Sequence, residues 1–167
     1  MVQLIERDIK TREVLGWKGA HVLHYSGSSC SQKLRIFLNL KGIPWQSHPV
    51  DLHANENFTP WFLGINPRGL VPVLVHDGAV HIESNDIITY LERTFPTPRL
   101  IPAGYEGETT SLLKHEDDLQ GAWFAKLAAR PEFAREVAMP PEAAARLDAT
   151  HRTHAREGKT LEVVAGF

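Results

Sequence analysis

The sequence is short of the features that several classes of protein require. Its 167 residues include one cysteine, so no disulfide can form within the chain, as is usual in a reducing compartment. No uninterrupted apolar run approaches the roughly 20 residues of a membrane-spanning helix, and the charged N-terminus MVQLIERDIK lacks the apolar centre of a signal peptide. Charge is nearly balanced, with 18 basic and 20 acidic side chains, which leaves no basic surface for nucleic acid. These absences indicate a cytoplasmic protein that binds neither nucleic acid nor membrane.

The nine histidines do not form a metal-binding pattern. His151 and His154 are three residues apart on a polar stretch without a nearby cysteine, whereas a structural zinc ion needs about four protein ligands. His115-Glu116 is not followed by the second histidine of a zinc-protease motif. The sequence therefore predicts no metal site.

The first hundred residues alternate between strand and helix patterns. Short apolar or alternating runs predict four strands, at residues 21–25, 45–50, 71–76 and 79–82. Helical spacing predicts three helices, at residues 29–41, 59–65 and 84–95. Gly42 supplies the stop of the first helix, and Asp77-Gly78 forms the hairpin turn between the last two strands. This order predicts an α/β domain with a mixed four-stranded sheet and flanking helices.

The remainder of the chain carries helix patterns and no strand signal. Residues 105–137 favour helix, and residues 142–157 form a further helical piece that can bury little apolar surface. Several prolines punctuate the connection before it: Pro96, Pro98 and Pro102. We therefore expect an N-terminal extension over residues 1–20, an α/β domain over residues 21–102 and an all-α region over residues 103–167.

The stretch Gly27-Ser28-Ser29-Cys30 precedes the first helix and has two interpretations. A serine ahead of an apolar run is the usual N-cap. The same helix terminus also stabilises an anion, either the thiolate of Cys30 or the sulfur of a ligand, and a hydroxyl from Ser28 or Ser29 favours that charge further. No second cysteine follows Cys30 at the spacing of a redox pair, which argues against dithiol–disulfide exchange.

Two further segments are candidates for binding a peptide-like ligand. Pro72 stands directly before a strand, where it removes a ladder donor, so an edge position, a turn or a cis bond is expected. A cis Val71–Pro72 bond would turn the Val71 N–H and C=O outward for pairing by strand addition. Glu83 and Ser84 precede a helix, with Ser84 as the simplest N-cap. That terminus would receive a carboxylate while Glu83 pairs with an ammonium, although capping alone also explains the motif.

Five segments in register resemble the glutathione S-transferases over residues 19–102. In chain order they are SSCS-x-x-x-R, LKGIPW, NP-x-G-x-VPVL, ES-x-x-I-x-x-YLE and PTPRLIP. The first and last are most similar to the zeta class, which includes maleylacetoacetate isomerases. The resemblance implies a thioredoxin-like N-terminal domain that binds glutathione, followed by an all-helical domain that builds the pocket for a small electrophile.

The resemblance also implies a role for individual residues. Ser28 matches the hydroxyl that activates the glutathione thiol, with Ser29 and Cys30 beside it. The other matches are to residues that hold glutathione: the backbone partner of its cysteine at Val71, the cis-proline at Pro72, the γ-glutamyl contacts at Glu83 and Ser84, and the glycyl contact at Asn57.

The sequence departs from the family at two places. Leu70 stands where many members have Lys or Gln, so one polar contact to glutathione is expected to be missing. Fewer residues follow Pro102 than the family's helical domain usually has. Residues 112–119 resemble the beginning of that domain and residues 121–137 its end, so we expect a partial helical domain without the middle helices. Either the protein is a shortened variant, or the intact protein has residues that this sequence omits.

The resemblance implies a glutathione-dependent transferase or isomerase, in which Ser28 stabilises a thiolate that attacks a small electrophile. In a variant of this mechanism, Cys30 forms a mixed disulfide with glutathione and supports thiol transfer or ether cleavage. The alternative from another class is a non-catalytic module that dimerises or binds a protein partner, which the short helical region and Leu70 favour. A homodimer is expected from the resemblance.

Overall fold

A mixed β-sheet forms the centre of the structure. The computed structural model describes residues 2–130, together with positions 141 and 145. Five strands lie in this part of the chain: β1 (Val2–Gln3), β2 (Ala20–His24), β3 (Trp45–Pro49), β4 (Val73–His76) and β5 (Ala79–Ile82). Their order is β1-β5-β4-β2-β3, with β2 and β3 parallel and the other neighbours antiparallel. The predicted mixed four-stranded sheet is confirmed, and β1 extends it to five strands.

The α-helices of the described residues cover the sheet and extend beyond it. They are α1 (Ser29–Leu40), α2 (Pro60–Leu63), α3 (Ser84–Thr94) and α4 (Glu106–Ala128). Gly42 adopts a φ of 64° and ends α1 as predicted. Asp77 and Gly78 both have positive φ, as the two central residues of a type I′ hairpin turn require. The predicted helix at residues 142–157 and the pair His151 and His154 lie outside the described residues.

The two faces of the sheet bury separate apolar cores. On one face, α1 and α3 contribute Leu34, Leu38, Ile87 and Leu91, all fully buried. Their spacing of four residues places each pair on one helix face, as the sequence pattern predicts. On the other face, α2 and the segments around it pack against the sheet through a second set that includes Ile9, Val14, Phe62, Ile65 and Val75.

Residues 2–16 pair with and pack against the sheet of the α/β domain. The backbone of β1 pairs with β5, with Val2 opposite Ile82, and the Leu4 amide donates to the Val80 carbonyl at 2.9 Å. Ile9 and Val14 are buried in the second core. A two-residue strand is too short to show periodicity, so the sequence predicts only an N-terminal extension over residues 1–20. The structure places it within the packed domain.

A buried ion pair fixes the proline-rich connection between α3 and α4. Lys41 Nζ lies 2.6 Å from Glu92 Oε2, and the Lys41 side chain is fully buried. Both groups also bond the backbone of the connection. Lys41 donates to the carbonyls of Phe95 and Pro98, and Glu92 accepts from the amides of Leu100 and Ile101.

Of the helices in the described part of the chain, none combines the length and apolarity needed to cross a bilayer.

One buried histidine makes the stability of the domain depend on pH. His81 is 1% exposed, stacks on the Tyr90 ring at 3.9 Å, and neither of its ring nitrogens has a hydrogen-bond partner among the described residues. Burial, with a smaller contribution from His76, lowers the pKa of His81 from 6.5 to about 4. The unfolded chain therefore binds a proton that the folded chain excludes as pH falls through this interval.

We expect the free energy of unfolding to fall with decreasing pH between about 6.5 and 4, by up to about 1.4 kcal/mol per pH unit from this group. In His81→Phe, which keeps the stacking on Tyr90, this part of the slope should be lost. Urea denaturation of both proteins at pH 7, 6, 5 and 4 measures the difference. Equal slopes would contradict the assignment to His81.

Candidate functional site

Three loops with predicted site residues meet at one end of the sheet. β2 and β4 are antiparallel with Leu23 opposite Val73, so the end of β2 lies beside the start of β4. β5 is antiparallel to β4 with His81 opposite Leu74, so the end of β5 lies there as well. Because neighbouring strands are about 4.8 Å apart, the loops span about 10 Å. We call this region the site end; it comprises residues 25–30, 68–72 and 83–85.

Ser28 lies in the first of these loops and is the N-cap of α1. Its Oγ accepts a hydrogen bond from the Ser31 amide at 3.2 Å, and its backbone is extended, with φ −79° and ψ 121°. Capping uses a lone pair of the hydroxyl oxygen, so the hydroxyl proton can still be donated to another acceptor. No acceptor within the described residues takes that proton. The cap and the thiolate-stabilising role are therefore compatible at Ser28.

The two residues after Ser28 differ in exposure. Ser29 is the first residue of α1 and is exposed, whereas Cys30 follows it and is half-buried. The loop before them is held by neighbouring side chains, since Tyr25 Oη lies 2.8 Å from His53 Nε2 and Gln32 Nε2 donates to the Ser26 carbonyl at 2.7 Å. The position of Ser28 at the helix terminus favours it over Ser29 as the group that faces a ligand.

The second loop presents backbone groups of Val71. The Val71–Pro72 peptide bond is cis, as one of the sequence interpretations expects, and β4 begins only at Val73. Within the described residues, neither the N–H nor the C=O of Val71 makes a hydrogen bond, although Val71 is half-buried. A donor and an acceptor on one residue at a strand end match the requirements for pairing with an extended peptide.

The third loop differs from the prediction at the start of α3. The N-cap position is Glu83, with φ 67° and ψ 109°, and Ser84 is the first residue of the helix, so the prediction of Ser84 as N-cap is wrong. Glu83 makes no side-chain capping bond. The Ser84 and Asn85 amides have no acceptor among the described residues, and such amides at a helix start attract anions. Glu83 lies in a backbone region that non-glycine residues rarely occupy, and such residues concentrate at functional sites.

An arginine that the sequence analysis does not single out reaches the same point. Arg68 Nη1 forms an ion pair with Glu83 Oε1. The Arg68 amide donates to Asn66 Oδ1 at 3.1 Å, and Asn66 Nδ2 donates to the Leu70 carbonyl at 2.8 Å. These bonds fix the turn that carries Arg68. The Asn66-Pro67-Arg68-Gly69 motif is visible in the sequence, but the partner lies 15 residues away and no local pattern indicates it.

Asn57 and Leu70 border the second loop in different ways. Asn57 is buried, and its Nδ2 donates to the Gly69 carbonyl at 2.7 Å. Gly69 itself has a φ of 67°, and a Cβ there would lie 2.7 Å from the Phe58 ring. Leu70 is exposed. The structure thus gives the Asn57 side chain a bond that shapes the loop, and its predicted contact to a glycyl carboxylate stays a prediction.

A polar junction joins the site end to α4. Lys33 Nζ on α1 donates to Asn85 Oδ1 on α3 at 2.6 Å and pairs with Glu116 on α4. Asn85 Nδ2 in turn donates to Asp117 Oδ2 at 2.8 Å and to the Leu113 carbonyl at 3.1 Å. Lys33 lies one helical turn after Cys30 and Asn85 one position after Ser84, but the contacts with α4 span up to 83 positions. Sequence patterns at helical spacing cannot report such contacts.

Other features lie apart from the site end. A cleft of about 420 Å³ is lined by residues of β3 and α2, among them His48, Trp61 and Phe62, and by none of the predicted site residues. Among the described residues, no group of three or more His, Cys, Asp or Glu side chains is placed to hold a metal ion. The site end is thus defined by backbone groups, hydroxyls and one ion pair.

The family comparison matches the region that carries this geometry. Residues 27–94 match the family model for the glutathione S-transferase N-terminal domain. This part of the chain is similar to a glutathione S-transferase N-terminal domain. The matched residues include every one of the predicted site residues. The predicted thioredoxin-like domain followed by a helical region is confirmed by this match and by the fold.

Individual proteins are similar to this chain as well. The chain is 48% identical over 79 residues to a zeta-class glutathione S-transferase of Euphorbia esula, covering 47% of this chain and 35% of that protein. It is 44% identical over 80 residues to maleylacetoacetate isomerase of Mus musculus, covering 47% of this chain and 37% of the mouse protein. The chain therefore matches little more than a third of the length of these two relatives.

A solved structure extends the similarity beyond the N-terminal domain. The crystal structure of the β-etherase LigF from Sphingobium sp. strain SYK-6 superimposes with a TM-score of 0.61 at 26% identity. The superposition covers 83% of this chain and 71% of that chain. The similarity in fold thus extends beyond residue 94 into the helical region.

Proposed function

We propose that the protein is a glutathione-dependent transferase or isomerase, with the glutathione site at the site end. The observation that carries the proposal is the unpartnered N–H and C=O of Val71, on the same sheet end as the Ser28 hydroxyl and the start of α3. These groups fit a tripeptide: a backbone pair for its middle residue, an anion-attracting helix terminus at each side, and a carboxylate at Glu83 for an ammonium.

The chain's own groups act on charge and orientation. Glutathione supplies a nucleophilic sulfur when bound. The Ser28 hydroxyl, together with the terminus of α1, stabilises negative charge on that sulfur and lowers the pKa of the thiol. Val71 orients the ligand through two backbone hydrogen bonds, so the sulfur faces Ser28. Glu83 and the Ser84 amide hold the amino-acid end.

The zeta-class similarity favours isomerisation of an activated double bond, which returns glutathione unchanged, over conjugation, which consumes it. Support comes from the SSCS and PTPRLIP segments and from two relatives, one a zeta-class transferase and the other an isomerase. Cys30 is half-buried one residue inside α1, so a mixed disulfide at Cys30 is the competing chemistry. A homodimer and a cytoplasmic setting belong to the same proposal and rest on the resemblance and on the single cysteine.

A non-catalytic binding module is the second candidate. Leu70 favours it, since this side chain is 38% exposed where family members usually have a polar contact to glutathione. The retained Ser28, Val71 and Glu83 arrangement argues against it, because a scaffold that only dimerises has no use for an unpaired backbone donor and acceptor beside a helix terminus.

Titration calorimetry of the full chain with glutathione tests the proposal. We expect saturable heat with glutathione and much weaker binding of the dipeptide Cys-Gly, which lacks the γ-glutamyl end. Absence of saturable heat with glutathione would contradict the enzyme proposal and favour the binding module. Where binding occurs, incubation with a cis-unsaturated diacid and with an activated aryl halide separates the chemistries, because glutathione is consumed only in conjugation.

A further inference from the structure

The cleft beside β3 shares no residue with the site end. Its volume of about 420 Å³ is within the usual range for small-molecule sites. β3 is the outermost strand of the sheet on this side, and it lines the cleft together with residues between positions 56 and 62. A ligand held here would therefore be independent of the glutathione site that we propose above.

The lining of the cleft combines a buried apolar part with an accessible aromatic ring. Leu23 and Phe62 are 0% and 1% exposed, whereas Trp61 is 41% exposed. The Trp61 indole Nε1 donates to Glu13 Oε1 at 2.6 Å, and its carbonyl accepts from Thr11 Oγ1 at 2.6 Å. These two bonds fix the ring in place. A fixed, accessible indole beside apolar side chains favours a ligand with an aromatic body.

His48 offers the cleft a hydrogen-bond acceptor because of the bonds behind it. His21 Nε2 lies 3.0 Å from the Lys18 carbonyl oxygen, which can only accept, so Nε2 carries the proton. In the neutral ring His21 Nδ1 is then an acceptor, and His48 Nε2, 3.0 Å away, donates to it. This assignment leaves a lone pair on His48 Nδ1, for which the described residues supply no partner.

Two further features keep His48 in this state. The Trp17 ring stacks on both imidazoles, with centroids 4.5 Å from His21 and 4.6 Å from His48, so neither ring turns over without losing the stack. Burial, with a smaller contribution from His21, lowers the pKa of His48 below its usual value of 6.5. The ring is therefore neutral at pH 7, and Nδ1 keeps its lone pair.

Glu56 supplies a second acceptor, which is charged. Its Oε2 accepts from the Asp51 amide at 2.7 Å, and this bond holds the side chain. Its other oxygen has no partner among the described residues. No lysine or arginine of the described part of the chain lines the cleft. The polar groups thus favour a ligand that brings hydrogen-bond donors and a positive charge.

We propose that this cleft binds an arylalkylamine whose ring carries a hydrogen-bond donor, with the ring beside Trp61, the ammonium at Glu56 and the ring's donor at His48 Nδ1. A phenol or an indole provides that donor. Each requirement comes from a different residue, so each can be tested separately. An aromatic acid of the same size would bring a carboxylate to Glu56 and should be rejected.

The alternative role for the two histidines and Trp17 is to join β3 to β2 without contacting any ligand. Under that alternative, a donor on the ligand's ring contributes nothing to affinity. Three probes separate the roles: tyramine, phenethylamine, which lacks the phenol hydroxyl, and 3-(4-hydroxyphenyl)propionate, in which a carboxylate replaces the ammonium.

NMR titration of the isotope-labelled full chain at pH 7 measures the binding of each probe. We expect tyramine to shift the backbone amides that line the cleft, with half-saturation at about 1 mM or below. Phenethylamine should bind about 5-fold more weakly because it leaves His48 Nδ1 without a donor, and the propionate should give no saturable shift. Saturating glutathione should leave the tyramine affinity unchanged.

Two variants assign the contacts to residues. His48→Phe keeps a ring that stacks on Trp17 and removes Nδ1, so tyramine should bind no better than phenethylamine, whose own affinity should not change. Glu56→Gln keeps an oxygen for the Asp51 amide and removes the charge, so both amines should weaken by about 10-fold. Glu6→Gln removes a carboxylate that is 71% exposed and lies outside the cleft, and it should change neither affinity.

Equal affinities of tyramine and phenethylamine for the unsubstituted protein would overturn the role of His48, and this comparison stands even if His48→Phe does not fold. The site itself would be overturned by the absence of saturable shifts up to about 10 mM tyramine, by shifts confined to the site end, or by competition from glutathione. None of these results bears on whether glutathione binds, which its own calorimetry decides.

Discussion

Replacing Ser28 with alanine should reduce kcat/KM for the glutathione-dependent reaction by about 10²-fold or more, the usual cost of removing one donor to a developing anion. The hydroxyl proton of Ser28 has no acceptor among the described residues, and the terminus of α1 lies beside it. Without the hydroxyl, the pKa of the bound thiol should rise and the thiolate fraction at pH 7 should fall. Ultraviolet difference titration of bound glutathione measures this pKa directly.

Three variants separate this effect from the loss of the helix cap, which costs about 1 kcal/mol of stability on its own. Ser28→Thr keeps both the cap and the hydroxyl and should retain most activity. Ser28→Asp keeps the cap but adds a negative charge, so the protein should stay folded while the thiol pKa rises further. Ser29→Ala should have little effect because Ser29 is exposed. Loss of activity in Cys30→Ser alone would show that the serine mechanism is wrong.

Replacing Lys41 with methionine should lower the free energy of unfolding by about 3–5 kcal/mol, the range for breaking a buried ion pair from one side. The Lys41 ammonium is fully buried, pairs with Glu92 and donates to two carbonyls of the connection between α3 and α4. Methionine fills similar volume, but it leaves the buried Glu92 carboxylate without its positive counter-charge and both carbonyls without the Lys41 donor. Chemical denaturation at pH 7 measures the loss.

A matched control is available on α4. Lys114 Nζ lies 2.8 Å from Asp118 Oδ2, but both side chains are largely exposed, so Lys114→Met should change stability very little. The double variant Lys41→Met with Glu92→Leu should recover part of the loss, since it removes the unpaired carboxylate. Similar losses in Lys41→Met and Lys114→Met would contradict the importance of burial.

The same ion pair predicts the direction of a pH effect. Burial raises the pKa of Glu92, but the Lys41 ammonium and the amides of Ile101 and Leu100 outweigh it and hold the pKa below its usual value of 4.5. The folded chain therefore keeps this carboxylate ionised when the unfolded chain is already protonated. Its contribution is present above about pH 4.5 and is lost as pH falls through the lower folded-state pKa.

Local signals in the sequence were sufficient for most of the fold. The caps and stops of α1, the positive-φ turn at Asp77-Gly78 and the β-branched run of β4 each act within a few residues, and the structure has each of them in place. The site end follows from topology, because antiparallel pairing of β4 with β2 and β5 necessarily brings their connecting loops to one edge.

Contacts between distant segments could not be predicted from these patterns. The Arg68–Glu83 pair, and the contacts of Lys33 with Asn85 and Glu116, join charged or polar residues that lie far apart in the sequence. The predicted helix range begins at residue 84, as α3 does, but the N-cap lies one residue earlier than predicted. Ser is the preferred N-cap, but the φ of 67° at Glu83 places the helix start so that Ser84 lies inside it.

Packing of the leading segment has a practical consequence for anyone who dissects this protein. A cut at residue 20, where composition suggests a boundary, would uncover the hydrogen-bonding edge of β5 and open the cavities that Ile9 and Val14 fill. An exposed strand edge beside an opened core promotes association between copies. An isolated N-terminal fragment should therefore be started at the first residues of β1, and a fusion partner joined there needs a spacer that keeps it clear of the sheet.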